Sequence, residues 1–107
     1  MTRPAISLAV LAGAALVAST VAAAPAPATY AGRQFAPMAR ITMAQARATA
    51  LRARPGMITD QELEKEAGGS GLRYSFDVKR NGKTFEVGVD AKTGAVLENG
   101  AEGAHPD

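Results

Sequence analysis

Residues 73–90 read RYSFDVKRNGKTFEVGVD, and this stretch decides the fold. Apolar side chains alternate with polar ones in each half, which is typical of two strands that each bury one face. The pair Asn81-Gly82 between the halves favours a type I′ turn, because both central positions of that turn need a positive φ. The apolar face of this predicted hairpin consists of Tyr74, Phe76, Val78, Phe85, Val87 and Val89.

A helix is predicted before the hairpin. Thr42 is followed three residues later by Gln45, which forms a capping box, and the run of strong helix formers behind it ends at Pro55-Gly56. The apolar stripe along this helix is narrow and half of it is alanine, so it cannot stabilise an isolated helix. We therefore expect the helix to lie on the apolar face of the hairpin. The predicted stripe consists of Ile41, Ala44, Ala48 and Leu51.

The segment of residues 57–67 fits two structures. Its first half resembles the cap of a second helix, whereas its alternating glutamates fit a strand. We favour the strand, because a two-stranded hairpin alone is only marginally stable in water. Beyond the hairpin, residues 90–94 predict a turn and residues 95–97 a short terminal strand or extension. The predicted fold class is α+β, with one N-terminal helix packed on a three-stranded antiparallel sheet.

The two ends of the chain predict export and a short folded unit. Residues 1–28 have one positive charge at Arg3, an uncharged apolar run and a final Ala-Pro-Ala, which is the layout of a secretory signal peptide. An uncleaved membrane anchor is less favoured, because a spanning helix needs about 20 predominantly apolar residues. We expect a flexible tether at residues 29–40, a folded domain at 41–98 and a disordered tail at 99–107. The mature protein is expected in the periplasm or outside the cell, in contact with the membrane only during export.

Composition excludes several classes of function. A formal charge of +2 over 107 residues is too small to indicate a nucleic-acid partner. Without cysteine there is no thiolate nucleophile, disulfide or Cys-ligated metal. The single histidine, His105, lies in the predicted tail, so a catalytic triad with Ser70 is not expected. We therefore predict a protein that is not an enzyme and that uses no cofactor.

Three charged features have two interpretations each. Glu62, Glu64 and Glu66 have the chemistry to ligate a divalent cation, but on a strand they have no carbonyl-rich loop around them, so a solvated charged face is favoured. Asp90 is interpreted as a turn-initiating side chain rather than the start of a calcium loop, and no metal site is assigned. The arginines of the predicted helix either dock an acidic partner or cover the core with their stems, and both interpretations stay open.

Several short features follow one another in a distinctive order between residues 41 and 97. They are Ile41-Thr42, Ala46, Pro55-Gly56, Glu62-Leu63-Glu64, Tyr74 and the string EVGVDAKTG at residues 86–94. On these features residues 41–97 resemble the PepSY domain, a small module of M4-type metalloprotease propeptides and of many bacterial envelope proteins. The resemblance implies one helix on a three-stranded antiparallel sheet, a strand at residues 57–67, and a binding or inhibitory rather than catalytic role.

The resemblance leaves two functions open. In the first, the exported module binds another protein and regulates a secreted or envelope protease in trans, for example by strand addition at a sheet edge. In the second, it is a structural or sensory envelope protein that signals through a membrane partner or a ligand. The candidate partner-binding residues are Arg47, Arg54, Glu62, Glu64, Glu66 and Tyr74.

Overall fold

The computed structural model describes residues 29–103. The four strands form one antiparallel sheet in the order β1-β2-β3-β4, and the α-helix packs on one face of it, against β2 and β3. The predicted signal peptide at residues 1–28 and the last four residues of the predicted tail lie outside the described residues. The elements are a 3-10 helix η1 (Arg33–Met38), α1 (Met43–Ala53), β1 (Met57–Lys65), β2 (Leu72–Arg80), β3 (Lys83–Asp90) and β4 (Val96–Ala101).

The α-helix begins and ends where the sequence predicts. Thr42 Oγ1 accepts a hydrogen bond from the Gln45 amide at 3.0 Å, and Gln45 Oε1 accepts one from the Thr42 amide at 2.8 Å, which confirms the capping box. Neither of the helices within residues 29–103 is long and apolar enough to cross a membrane.

The buried face of α1 differs from the predicted stripe. Met43, Ala46 and Ala50 are buried, whereas Ala44 is exposed and Ala48 is only half-buried. Ile41 and Leu51 of the predicted stripe do pack against the core. The prediction was wrong for the alanines, because alanines occur all around this helix and give little contrast between its faces. Met43 is the bulky side chain that anchors the helix on the sheet, and the small Ala46 and Ala50 let the helix approach closely.

The central hairpin is confirmed with its register. The β2–β3 pairing sets Tyr74 opposite Val89 and Phe76 opposite Val87. At the turn, Asn81 has a φ of 51° and Gly82 a φ of 78°, as a type I′ turn requires. The core on this face contains Leu63, Leu72, Tyr74, Phe76, Val78, Val87 and Val89, all at most 2% exposed.

The sheet has four strands rather than three, which corrects the predicted architecture. Residues 57–65 form β1, as favoured. The short terminal strand or extension expected at residues 95–97 is a fourth strand, β4, which pairs with β3 and continues through Asn99 into the predicted disordered tail. The backbone of β4 forms hydrogen bonds with the edge of β3 that faces away from β2. The Asn99 side chain also accepts a hydrogen bond from Arg54 Nε at 2.9 Å and donates one to the Ala53 carbonyl at 3.3 Å, which ties β4 to the end of α1.

The predicted tether also differs from the structure, because it contains η1 and packs on the domain. Tyr30 and Phe35 lie against the core, and the Ala31 carbonyl accepts a hydrogen bond from the Leu63 amide at 2.9 Å. The backbones approach so closely that a Cβ on Gly32 would lie 1.6 Å from the Leu63 carbonyl oxygen. This contact covers the outer edge of β1 at that point.

Candidate functional site

The face of the sheet opposite α1 is strongly acidic. Strand alternation turns the carboxylates of all four strands, and of the residues directly after β1 and β4, to this side. The set holds eight of the chain's 10 acidic residues. We call it the acidic face; its members are Asp60, Glu62, Glu64, Glu66, Asp77, Glu86, Glu98 and Glu102.

A groove of about 440 Å³ lies in the acidic face. Ser75 lines it in the middle of the sheet, and its hydroxyl donates to Glu64 Oε2 at 2.5 Å. The strand registers set Asp60 opposite Asp77, and Asp77 opposite Glu86. Like charges directly opposite each other on neighbouring strands destabilise a sheet. The acidic face is therefore a costly arrangement for the fold.

Burial and mutual repulsion raise the pKa of three carboxyl groups on the acidic face. Partial burial is the largest cause for each, followed by the charges of neighbouring carboxylates. For Glu62 the strongest neighbouring charge is Glu64, for Asp77 it is Glu102, and for Glu86 it is Glu98. A cation placed in the groove would relieve this repulsion.

Arg73 compensates one end of the acidic face. Its side chain is 9% exposed, and Nη1 lies 3.3 Å from both Glu66 Oε2 and Glu98 Oε1. The guanidinium lies over Gly88, where a Cβ would be 3.1 Å from Nη1. These are the ion pairs found within residues 29–103, so most of the carboxylates on the face form no ion pair in the described part of the chain.

The tightest group of carboxylates on the acidic face was not predicted. Asp77, Glu86 and Glu102 bring carboxylate oxygens within 4.8 Å of one another. This group differs from the candidate trio Glu62, Glu64 and Glu66, because the closest approach of carboxylates runs across neighbouring strands rather than along one strand. Part of this group could have been predicted from the Asn81-Gly82 turn, because the register that this turn sets places Asp77 opposite Glu86.

The two candidate arginines lie on the other side of the sheet from the glutamates. Arg47 Nη1 donates to Gln61 Oε1, and the Arg54 guanidinium lies 4.0 Å from the centroid of the Phe85 ring. Arg54 also donates to Asn99. Both arginines therefore make contacts within the domain, as expected of side chains that cover its core.

Tyr74 lies in the core rather than on a surface. It is 1% exposed, and its hydroxyl donates to the Ile41 carbonyl at 2.8 Å. Burial, with Tyr30 nearby as a smaller cause, raises the pKa of Tyr74 to about 12. Of the six candidate residues, only Glu62, Glu64 and Glu66 are brought together on one accessible face.

Charge is segregated between the two layers of the domain. Residues 29–56, which contain both helices, hold five arginines and no acidic residue. The acidic face lies on the opposite side of the sheet. The domain is therefore polarised in charge, and neither helix covers its acidic face.

Comparison with known proteins places the chain in a family. No curated protein and no solved structure matches it. A family model described as "Peptidase propeptide and YPEB domain" matches residues 40–99, which is more than half of the chain. The chain therefore belongs to the PepSY family.

Proposed function

We propose that this PepSY protein is a non-catalytic exported module that binds another protein and regulates a secreted or envelope protease in trans. Membership of a family described by peptidase propeptides supports a protease as the partner. The observation that carries protein binding is the outer edge of β4, which pairs with no other strand within residues 29–103. Unpaired strand edges are templates for strand addition.

The free edge can be located to individual backbone groups. The Glu102 amide donates to the Thr84 carbonyl at 2.9 Å, so these residues form a hydrogen-bonded pair. Such pairs alternate along an antiparallel ladder, so the N–H and C=O groups of Asn99 and Ala101 point away from β3. The other edge differs, because Ala31 already bonds to β1 there.

The environment of Ser70, the serine considered above as a nucleophile, agrees with a non-catalytic role. The Ser70 hydroxyl donates to Asp90 Oδ1 at 2.8 Å, and Asp90 is 1% exposed. A hydroxyl held by a buried carboxylate in this way stabilises a loop. The hydrogen bonds to Asp90 also hold the pKa of its carboxyl group well below the ordinary value, so this carboxylate is a weak general base for the hydroxyl at neutral pH.

The test is photo-crosslinking in cells, with a photoreactive residue at Ala101 on the free edge and, as a matched control, at Ala44 on the exposed side of α1. We expect one dominant protease adduct at Ala101, and the purified chain should then inhibit that protease in an activity assay. A membrane sensor as the dominant adduct would favour the alternative of a sensory envelope protein. No specific adduct at either position would refute protein binding at the free edge of β4, and with it the proposed function.

A further inference from the structure

Neither helix of the described residues covers the acidic face. The α-helix covers the opposite face of the sheet and η1 packs beside β1, so the groove of about 440 Å³ stays open. Carboxylates from every strand line it. By strand alternation the cationic side chains on this side of β2 are Arg73 and Lys79, and Arg73 already pairs with Glu66 and Glu98.

Apart from the ion pairs of Arg73 and the hydrogen bond from Ser75 to Glu64, the carboxylates of the acidic face mostly repel one another. Asp77 lies opposite Glu86 across β2 and β3 and opposite Asp60 across β1 and β2. These like-charge pairs and the raised pKa of Asp77 and Glu86 indicate that the free module keeps the carboxylates at a cost in stability. A cationic occupant of the groove would convert the same charges into favourable contacts.

A second copy of the chain fits the groove poorly. The acidic face of a second copy would repel the acidic face of the first. In the helical layer of each copy, two of the five arginines already make contacts within their own domain. Arg47 donates to Gln61, and Arg54 donates to Asn99 and lies over Phe85. A flexible segment with free lysines and arginines meets no such restriction, because long basic side chains can reach carboxylates on several strands.

We propose that the acidic face docks a lysine- and arginine-rich segment of the protein partner, with the groove between Glu62 and Glu86 as its centre. This inference rests on the proposed function and names the chemistry of the partner's contact. It adds a second contact surface to the free edge of β4. Electrostatic complementarity of this kind mainly sets partner choice and association rate, and salt weakens it.

The test is an NMR titration of the full ¹⁵N-labelled chain with a synthetic peptide of four Lys-Ser repeats, compared with its Glu-Ser counterpart. We expect saturable shifts at the amides around Glu62, Ser75 and Glu86, and none with the Glu-Ser peptide. The variant Glu62→Gln with Glu86→Gln should weaken binding about tenfold, which corresponds to about 1.4 kcal/mol. The binding should be lost near 1 M salt, where the Debye length is about 3 Å.

A charge-matched control separates the groove from net charge. Gln34→Lys with Ala44→Lys adds the same charge on the exposed helical side, and it should leave the affinity within about twofold. Equal weakening in both double variants, shifts centred on α1, or concentration-dependent shifts without peptide, as self-association would give, would overturn the proposal. So would saturable shifts with calcium chloride alone that the peptide cannot displace.

The outcome is distinguishable from failure of the proposed function. Protease adducts at Ala101 without peptide binding in the groove would leave the proposed function standing and refute this inference. Peptide binding in the groove, combined with no adduct at Ala101 or Ala44, would refute regulation of a protease while the cationic chemistry of the groove stood.

Discussion

The buried carboxylate of Asp90 accepts two hydrogen bonds from Ser70, one from the backbone amide at 2.6 Å and one from the hydroxyl at 2.8 Å. It also accepts bonds from the amides of Lys92 and Thr93, at 2.8 and 3.0 Å. Burial alone would raise the pKa of Asp90, but these hydrogen bonds outweigh it and hold the pKa well below its ordinary value. One carboxylate thus joins the loop before β2 to the turn after β3.

Asp90→Asn should destabilise the domain at neutral pH by about 2 kcal/mol, because an amide cannot accept all these bonds. Since the pKa of Asp90 is lowered by folding, its stabilisation is present above the unfolded-state pKa and is lost as the pH falls through the folded-state pKa. The difference between wild type and variant in urea denaturation should therefore shrink on acidification. Ser70→Ala, which removes only the hydroxyl, should cost about 1 kcal/mol. A variant Asp90→Asn as stable as the wild type would contradict the assignment.

Neutralising carboxylates of the acidic face should stabilise the domain, whereas neutralising Asp90 should destabilise it. The pKa values of Asp77 and Glu86 are raised by folding, so their contribution to stability is full below the unfolded-state pKa and is lost as the pH rises through the folded-state pKa. Asp77→Asn and Glu86→Gln should each stabilise the domain at neutral pH by a few tenths of a kcal/mol. Because salt screens the repulsion between these half-buried carboxylates, the gain should shrink in about 1 M NaCl. Thermal unfolding of wild type and variants at low and high salt measures this gain in stability. A loss of stability in both variants would contradict the prediction.

Tyr74→Phe separates a core role from a binding role. The change keeps the ring but removes the hydroxyl that donates to the Ile41 carbonyl at 2.8 Å, so we expect a loss of about 1 kcal/mol in urea denaturation. Crosslinking to the partner should be unchanged, since Tyr74 is 1% exposed. Weaker crosslinking in a folded Tyr74→Phe variant would indicate that Tyr74 contacts the partner, and would contradict its assignment to the core.

The parts of the fold that depend on local pattern could be predicted from the sequence. The alternation around Phe76 and Val87 indicates the hairpin, the Asn81-Gly82 pair sets its register, and the Thr42 capping box marks the start of α1. Each of these signals is complete within a few neighbouring residues. The structure agrees with the prediction at all of them.

The parts that depend on distant contacts could not be predicted. Residues 98–100 of β4 read Glu-Asn-Gly, which has poor strand propensity, and they form a strand because β3 offers an edge and Asn99 bonds to the end of α1. The acidic face collects carboxylates that lie up to 42 residues apart, from Asp60 to Glu102. Only the three-dimensional pairing of the strands reveals that Asp77, Glu86 and Glu102 meet.

Val87→Asp tests the alternation on which the whole fold depends. Val87 is 1% exposed and lies opposite Phe76 in the core, so the substitution buries a carboxylate with no partner. We expect a cost of about 4 kcal/mol or more, which is most of the stability of a domain of this size, and therefore no cooperative urea transition by circular dichroism. Val96→Asp is the matched control on the same sheet, because Val96 is 42% exposed and its carboxylate would stay in water. A cooperative transition in Val87→Asp, as steep as that of Val96→Asp, would mean that the face with Val87 is not the core.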